Sequence, residues 1–271
     1  MYETTGSGLQ DRIVVVTGGS RGLGRAMALT LAQAGARVAV IATGDSRPLQ
    51  DMSAQMAAFK PAHEITFIFG DLRVPEDCER MARELKQRLR RVDVLVNNAG
   101  IPNIGAGSLF WEVTPENWFR TVETNVNGIF LLTRELAPGM VAQGFGRIVN
   151  VSTSASTMVR RMMSPYGPSK AFVEAATRIM AQDLEGTGVT ANVLLPGGAV
   201  DTQVDLTGVK TVGRTFLSSN VMGPPLLWLA SDLSSSHNGQ RFIASMWDES
   251  EALAVRIQKS RDPSVLVPQI M

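Results

Sequence analysis

The sequence predicts an α/β fold: a doubly wound parallel sheet with helices on both faces, built as a single domain. Two observations carry this. Short runs of β-branched and other apolar residues alternate with longer segments whose apolar residues recur at helical spacing. A glycine-rich turn joins the first run to the first helical segment, in the place where an open α/β sheet presents ligands to a helix N-terminus.

The first unit is RIVVVTGGSRGLGRAMALTLAQAGARVAVIA. Ile13 to Val16 is a continuous β-branched run, as expected of a strand buried on both faces. Arg25 to Ala34 repeats apolar residues at helical spacing, and Gly35 stops the helix. Val38 to Ile41 is the next strand and completes a βαβ unit. Ile65 to Phe69 reads as a strand, and Pro75 to Arg90 as a helix with proline at its start. VDVLVNNAG is a strand running into a turn, and a helical pattern returns from Pro115 through Met140. GRIVNVS is a strand, Tyr166 to Glu185 a helix, and VTANVLLPGG a strand ended by a breaker. Pro225 to Ala230 predicts a short helix and Gln240 to Ile243 a last strand. No linker or internal repeat divides the chain. The expected organisation is a loose head over residues 1–9, one domain over 10–247, and an irregular tail over 248–271 that is a candidate interface segment.

The chain has 271 residues, enough for a sizeable core, and a net charge of +1 with no block of like charges. Neither nucleic acid nor an anionic membrane is an expected partner; the pairs Arg90-Arg91 and Arg160-Arg161 are too short to form basic patches. The single cysteine, Cys78, cannot form an intramolecular disulfide, and two histidines are too few for an ordinary zinc site. Cys78 falls in an amphipathic helical pattern and reads as a buried thiol. The start, MYETTGSGLQDR, lacks the basic-then-apolar order of a signal peptide, and no apolar run approaches the ~20 residues of a membrane span. The expected setting is the cytoplasm.

In TGGSRGLG the glycines are Gly18, Gly22 and Gly24. A glycine here lets the chain turn tightly and lets a phosphate approach the backbone, where the helix N-terminus offers free N–H groups. Such a turn also closes ordinary βα units, so it needs company. NNAG (Asn97 to Gly100) follows the fourth strand, Asn125 stands in ETNVNG, and YGPSK supplies Tyr166 and Lys170. Taken together these resemble the short-chain dehydrogenase/reductase family, in its TGxxxGxG, NNAG, Asn and YxxxK motifs, in its order, from about Arg12 to Ile243. The resemblance implies a Rossmann-type sheet of seven parallel strands, a nicotinamide cofactor, and redox chemistry between a carbonyl and a secondary alcohol.

Cofactor choice follows from charge. An acidic residue at the end of the second strand would bind the adenosine ribose and repel a 2′-phosphate. Here Ala42 and Thr43 occupy that place, while Arg21 in the turn can face it. NADP (as NADPH) is therefore expected over NAD, which stays open because Asp45 is close by; Arg47 is a second candidate phosphate contact. Gly18, Ser20, Arg21, Gly22, Leu23 and Gly24 form the expected cradle. The resemblance adds Asp71 and Leu72 against the adenine, Asn98, Ala99 and Gly100 along the nicotinamide-side ribose, and Pro196 and Gly197 after the sixth strand.

Tyr166 and Lys170 are one helical turn apart and share a face. A free phenol has a pKa of about 10, and a nearby ammonium is expected to lower it toward the working pH. Tyr166 then acts as general acid in reduction and base in oxidation; the resemblance gives Lys170 a further contact with the ribose hydroxyls. It also gives a Ser thirteen residues before the Tyr, which holds the substrate oxygen. That count lands on Thr153, with Ser154 as the alternative if the loop bulges. Asn125 is a poor helix former in a helical pattern, which asks for a reason; the resemblance implies that it holds a water linking Lys170 to solvent, and the alternative is an amide that caps a neighbouring backbone group. Ser154, Met163 and Gly198 are candidate substrate contacts. Met158 and Met162 are either pocket wall or packing, and Arg160 and Arg161 are read as solvated surface. The substrate is expected to be a small carbonyl or alcohol of unspecified identity. The apolar helices at Pro115–Met140 and Tyr166–Glu185 point to a homotetramer or homodimer, and an NAD-preferring dehydrogenase or a non-catalytic nucleotide-binding protein is the competing reading.

Overall fold

The computed structural model describes residues 8–44, 61–102, 108–201 and 216–262, with scattered positions between 50 and 59. Its elements in chain order are β1 (Ile13–Thr17), α1 (Gly22–Gln33), β2 (Arg37–Ala42), β3 (Thr66–Phe69), α2 (Pro75–Leu89), β4 (Val94–Asn97), α3 (Pro115–Val122), α4 (Gly128–Ala142), β5 (Gly146–Val151), α5 (Ala155–Met158), α6 (Tyr166–Asp183), β6 (Val189–Leu195), α7 (Gly223–Ala230), β7 (Arg241–Ile243) and α8 (Leu253–Ser260). The strands form one seven-stranded sheet in the order β3-β2-β1-β4-β5-β6-β7, every pairing parallel. The order reverses beside β1, which places the switch point between the ends of β1 and β4.

Side chains alternate across each strand and sort the core into two layers. Val14, Val16, Val38, Val40, Val94 and Val96 meet Met27 and Leu31 of α1 and Leu226 and Trp228 of α7. Ile13, Val15, Ala39, Ile41, Leu95 and Ile148 meet Met81 and Leu85 of α2 and Leu132, Leu136 and Met140 of α4. Each large apolar side chain so buried contributes about 1.5–3 kcal/mol. That is why the β-branched runs fall on the inner strands. Among the described residues no helix is long and apolar enough to cross a membrane.

Four local readings are corrected. Leu9, assigned to the loose head, is fully buried in the first layer, and its carbonyl accepts from Arg12 N. The expected long helix is divided by a π-turn at Glu123–Asn127, between α3 and α4. The loop before Tyr166 contains the short helix α5, capped by Ser154, whose hydroxyl accepts from Thr157 N. The stretch after Trp247, expected to be irregular, carries α8 and then returns to the sheet, where Arg261 pairs antiparallel with Phe242.

Candidate active site

The turn after β1 is held by side chains from two strands. Thr17 Oγ1 accepts from the amides of Asn98 at 3.0 Å and Ala99 at 2.9 Å. Asn98 Nδ2 donates back to the carbonyls of Thr17 at 2.9 Å and Gly18 at 3.3 Å. The two motifs at the switch point are therefore one hydrogen-bonded unit. Gly18 has φ +61°, and Gly24 passes so close that a Cβ there would lie 2.2 Å from Gly18 O and 2.4 Å from Asn98 Nδ2. A side chain at either position would fill the cradle; glycine keeps it open.

Arg21 precedes α1 in extended conformation with no side-chain cap, and the first turn of α1 carries no acidic residue. Its amide donors face the turn with their partial positive charge uncompensated. The Arg21 side chain is exposed and makes no hydrogen bond or ion pair among the described residues. Ser20, Gly22 and Leu23 are half-buried, and Leu23 packs on the α1-side layer. β2 ends at buried Ala42, followed by exposed Thr43. Asp45 and Arg47 lie outside the described residues.

Asp71 follows β3. Its carboxylate is clasped by Arg73, with Nη2 to Oδ2 at 2.6 Å and the Arg73 amide to Oδ1 at 2.9 Å. The Arg73 bond holds it below the ordinary carboxylate range, against some desolvation. Leu72 is buried in the α2-side layer. An adenine contact by Leu72 would therefore involve its backbone rather than its side chain.

Tyr166 opens α6 and is half-buried. Burial raises the pKa of its phenol, and the neighbouring Thr153 side chain opposes the rise. The expected downward shift from Lys170 is not what this geometry produces. Lys170 Nζ lies 5.9 Å from the Tyr166 ring centre and donates to Val151 O at 2.8 Å. Desolvation of the phenol outweighs whatever that charge contributes. Lys170 is itself buried, which lowers its pKa to about 8, with Glu174 one turn on pulling it back up.

Asn125 is fully buried in the π-turn. Its Oδ1 accepts from Ile101 N at 2.7 Å, and its Nδ2 donates to Ile101 O at 3.1 Å and to Ser169 Oγ at 3.0 Å. Both amide protons are thus engaged on backbone and Ser169. π-turns within helices frequently mark functional positions. A point 3.3 Å from Asn125 Oδ1 and 3.7 Å from Lys170 Nζ lies on the open face of Gly100, where a Cβ would sit. Gly100, Asn125 and Lys170 therefore border one small space.

Ser154 is occupied by its capping bond and by Thr157 Oγ1 at 2.8 Å and Ser156 Oγ at 3.2 Å. Of the two residues, Thr153 is the one whose side chain influences the Tyr166 phenol. Met158 and Met163 are half-buried; Met163 S accepts from Arg160 at 3.3 Å, and Met162 has φ +67°. Arg160 and Arg161 are exposed. Pro196, Gly197 and Gly198 follow β6. Gly197 has φ +89°, and a Cβ there would meet Ser245 Oγ at 2.1 Å. Residues 202–215, the greater part of the segment between β6 and α7, lie outside the described residues.

Sequence reasoning missed Thr17, Ser169 and Arg241. Thr17 stands directly before the glycine turn and Ser169 directly before Lys170, so position alone could have flagged both. Arg241 has no such signal. The placed candidates lie at the carboxyl ends of β1 to β6 or at the helix ends and turns that face them, which is where an open α/β sheet binds its ligands.

Comparison with known proteins agrees with this geometry. A family profile described as short chain dehydrogenase matches residues 12–210. An acetoacetyl-CoA reductase of Rhizobium meliloti (strain 1021) is 34% identical over 187 residues, covering 69% of this chain and 73% of the relative. NADPH-dependent aldehyde reductase 2, chloroplastic, of Arabidopsis thaliana is 31% identical over 259 residues, covering 88% and 93%. A solved structure from Beutenbergia cavernae, described as an NAD(P)-dependent gluconate 5-dehydrogenase with NADP bound at low occupancy, superposes with a TM-score of 0.76 at 32% identity, covering 88% of this chain and 96% of that one. The glycine cradle at the switch point, the seven-stranded parallel sheet and the family match over most of the chain together establish that this protein belongs to the short-chain dehydrogenase/reductase family of oxidoreductases.

Proposed function

We propose that the protein reduces a small carbonyl compound to a secondary alcohol, or runs the reverse reaction, with NADP(H) as cofactor and Tyr166 as the general acid or base. The observation that carries this is the convergence of Thr153, Tyr166, Lys170 and Asn125 at the ends of β5 and α6, with Lys170 bonded to the end of β5 at Val151 O and Asn125 bonded to Ser169 of α6. The residues present fit a dinucleotide. Gly18 and Gly24 leave room that a Cβ would fill, and α1 offers its N-terminus beside them. Gly18, Ser20, Arg21, Gly22, Leu23 and Gly24 would hold the phosphates, Ala42 and Thr43 the adenosine ribose, Asp71 and Leu72 the adenine, and Asn98, Ala99, Gly100, Pro196 and Gly197 the nicotinamide half. When bound, the nicotinamide supplies or accepts the hydride.

The chain's own groups do the rest. Thr153 donates a hydrogen bond to the substrate oxygen and sets it beside the Tyr166 phenol. Tyr166 releases its proton to that oxygen in reduction and takes it back in oxidation. Lys170 brings a cation near the phenol and a donor toward a ribose. Asn125 fixes the 101 backbone and Ser169, and a water beside Gly100 would touch both Asn125 and Lys170, which is the relay to solvent. Ser154, Met163 and Gly198 border the substrate side. The preference for NADP is supported by an exposed Arg21 that has no ion-pair partner among the described residues and by the absence of an acidic residue at Ala42 and Thr43. Two relatives that carry NADPH or NADP in their descriptions point the same way.

The test is Tyr166→Phe, assayed by nicotinamide absorbance with NADPH against acetoacetyl-CoA and a panel of aldehydes. Turnover is expected to vanish while NADPH still quenches or shifts fluorescence as in the unmodified protein. Phe keeps the packing of the ring and lacks only the proton. Normal turnover by Tyr166→Phe overturns the reading.

A further inference from the structure

Arg241 opens β7 and is 4% exposed. Its guanidinium reaches three separate segments. Nε donates to Glu174 Oε1 on α6 at 2.9 Å, and Nη2 donates to the carbonyl of Thr153 at 2.8 Å. Nη1 pairs with the carboxylate of Asp262, which follows α8 and whose amide donates to Arg241 O at 2.9 Å. A buried guanidinium is costly to desolvate and is retained only where its fork is satisfied by fixed acceptors. Two of these acceptors neutralise it. The third is neutral, and it belongs to the residue proposed above to orient the substrate oxygen.

That third bond lies where the backbone is otherwise least constrained. The β5–β6 pairing ends with Ser152 N donating to Leu194 O at 3.0 Å, and helical bonding resumes with Thr157 N donating to Ser154 O at 2.9 Å. Thr153 sits between them, outside strand and helix. Among the described residues the hydrogen bond that fixes its own main chain comes from Arg241. Turning that peptide would swing the Thr153 side chain away from the phenol.

We propose that Arg241 is a positioning residue: it clamps the Thr153 peptide so that the Thr153 hydroxyl faces Tyr166, while Glu174 and Asp262 hold the clamp in place. Through Asp262 the segment after α8 becomes part of the support of the active site. This rests on the reading of Thr153 given under the proposed function. A group that acts through another's orientation changes turnover more than cofactor binding, because a misplacement of ~1 Å in a reacting geometry can cost on the order of a hundredfold.

The chain has only two tyrosines, Tyr2 and Tyr166. Tyrosine labelled with carbon-13 at Cζ therefore gives two signals, and the Tyr166 signal reports the surroundings of its phenol without any substrate. Arg241→Lys keeps the charge that balances Glu174 and Asp262 but cannot reach three directions at once. It is expected to move the Tyr166 signal in the same direction as Thr153→Val, and the double variant is expected to match Thr153→Val alone. Turnover of acetoacetyl-CoA, or of whichever carbonyl the unmodified enzyme accepts, is expected to fall about ten- to a hundredfold, with NADPH affinity held. If Arg241→Lys does not fold, Arg241→Met combined with Glu174→Gln and Asp262→Asn removes the whole charge set and is read the same way. An unchanged Tyr166 signal in the Arg241 variant, or shifts that add in the double variant, overturns the clamp. If Tyr166→Phe turns over normally, the catalytic reading fails, while the signal comparison still decides whether Arg241 places Thr153.

Discussion

Arg21 is the side chain on which the proposed preference for NADP rests. It stands exposed at the start of α1, and β2 ends at Ala42 followed by Thr43, neither of which carries a carboxylate to repel a 2′-phosphate. Charge-assisted hydrogen bonds of this kind are worth about 1.5–3 kcal/mol, or roughly ten- to a hundredfold in affinity. Arg21→Ala is expected to weaken NADPH by about that factor and NADH far less, as measured by fluorescence titration of each. Equal losses for both cofactors count against the assignment. At this scale the sequence was readable wherever a role depends on close neighbours. Tyr166 and Lys170 lie one turn apart in α6, and the thirteen-residue count points to Thr153, whose side chain influences the phenol. The capping role of Ser154 was readable too, since its partner Thr157 is three residues on. Arg241 was not. Its partners lie 67, 88 and 21 positions away, so no local pattern carries them, and an Arg at the start of a strand reads as surface.

The turn between β1 and α1 shows how an element, not a residue, is the unit of the cradle. Gly24 belongs to the helix, yet its missing side chain makes room for Gly18 O and Asn98 Nδ2. Gly24→Ala forces the helix off the turn, because the atoms it meets are backbone and a strand-end amide that is already bonded. Overpacking of this kind costs about 1–3 kcal/mol. The variant is expected to lose thermal stability and NADPH affinity together; a melting temperature and dissociation constant equal to those of the unmodified protein would show that the cradle tolerates a methyl group. The inner strands were legible because they are runs rich in β-branched residues that fill both core layers, and the strand bounds moved by a residue or so. The helices were legible where burial gives them a stripe. α8 has no such stripe: Leu253 and Val255 are exposed, and the helix is tied down through Arg256 to the carbonyl of Glu251 and through Lys259 to the Glu251 carboxylate. The π-turn left only one trace in the sequence, an Asn where a helix has little use for it.

At the scale of the whole molecule, α3, α4 and α6 present large apolar side chains to solvent. Trp118, Phe119, Phe130, Phe172 and Ile179 are 41%, 60%, 54%, 41% and 59% exposed. Isolated exposed apolar residues are ordinary, but aromatic residues in this number on helices of one sheet face suit an interface. We propose that the protein assembles as a homodimer or homotetramer through these helices. Light scattering at micromolar concentration is expected to return a multiple of the chain mass of 29.2 kDa, and Phe119→Glu with Phe130→Glu to reduce it; a monomer across that range ends the proposal. The border of the sheet at β7 bears on how such copies can meet. β7 is three residues long, and its outer side already carries Arg261 opposite Phe242, with Asp262 bonded to the Arg241 carbonyl. An outermost strand so short and so occupied is a poor template for another chain's backbone. Copies of this protein are therefore expected to recognise one another by the shape of their side chains and not by continuing the sheet from subunit to subunit, and an unfolded neighbour finds little on this border to copy.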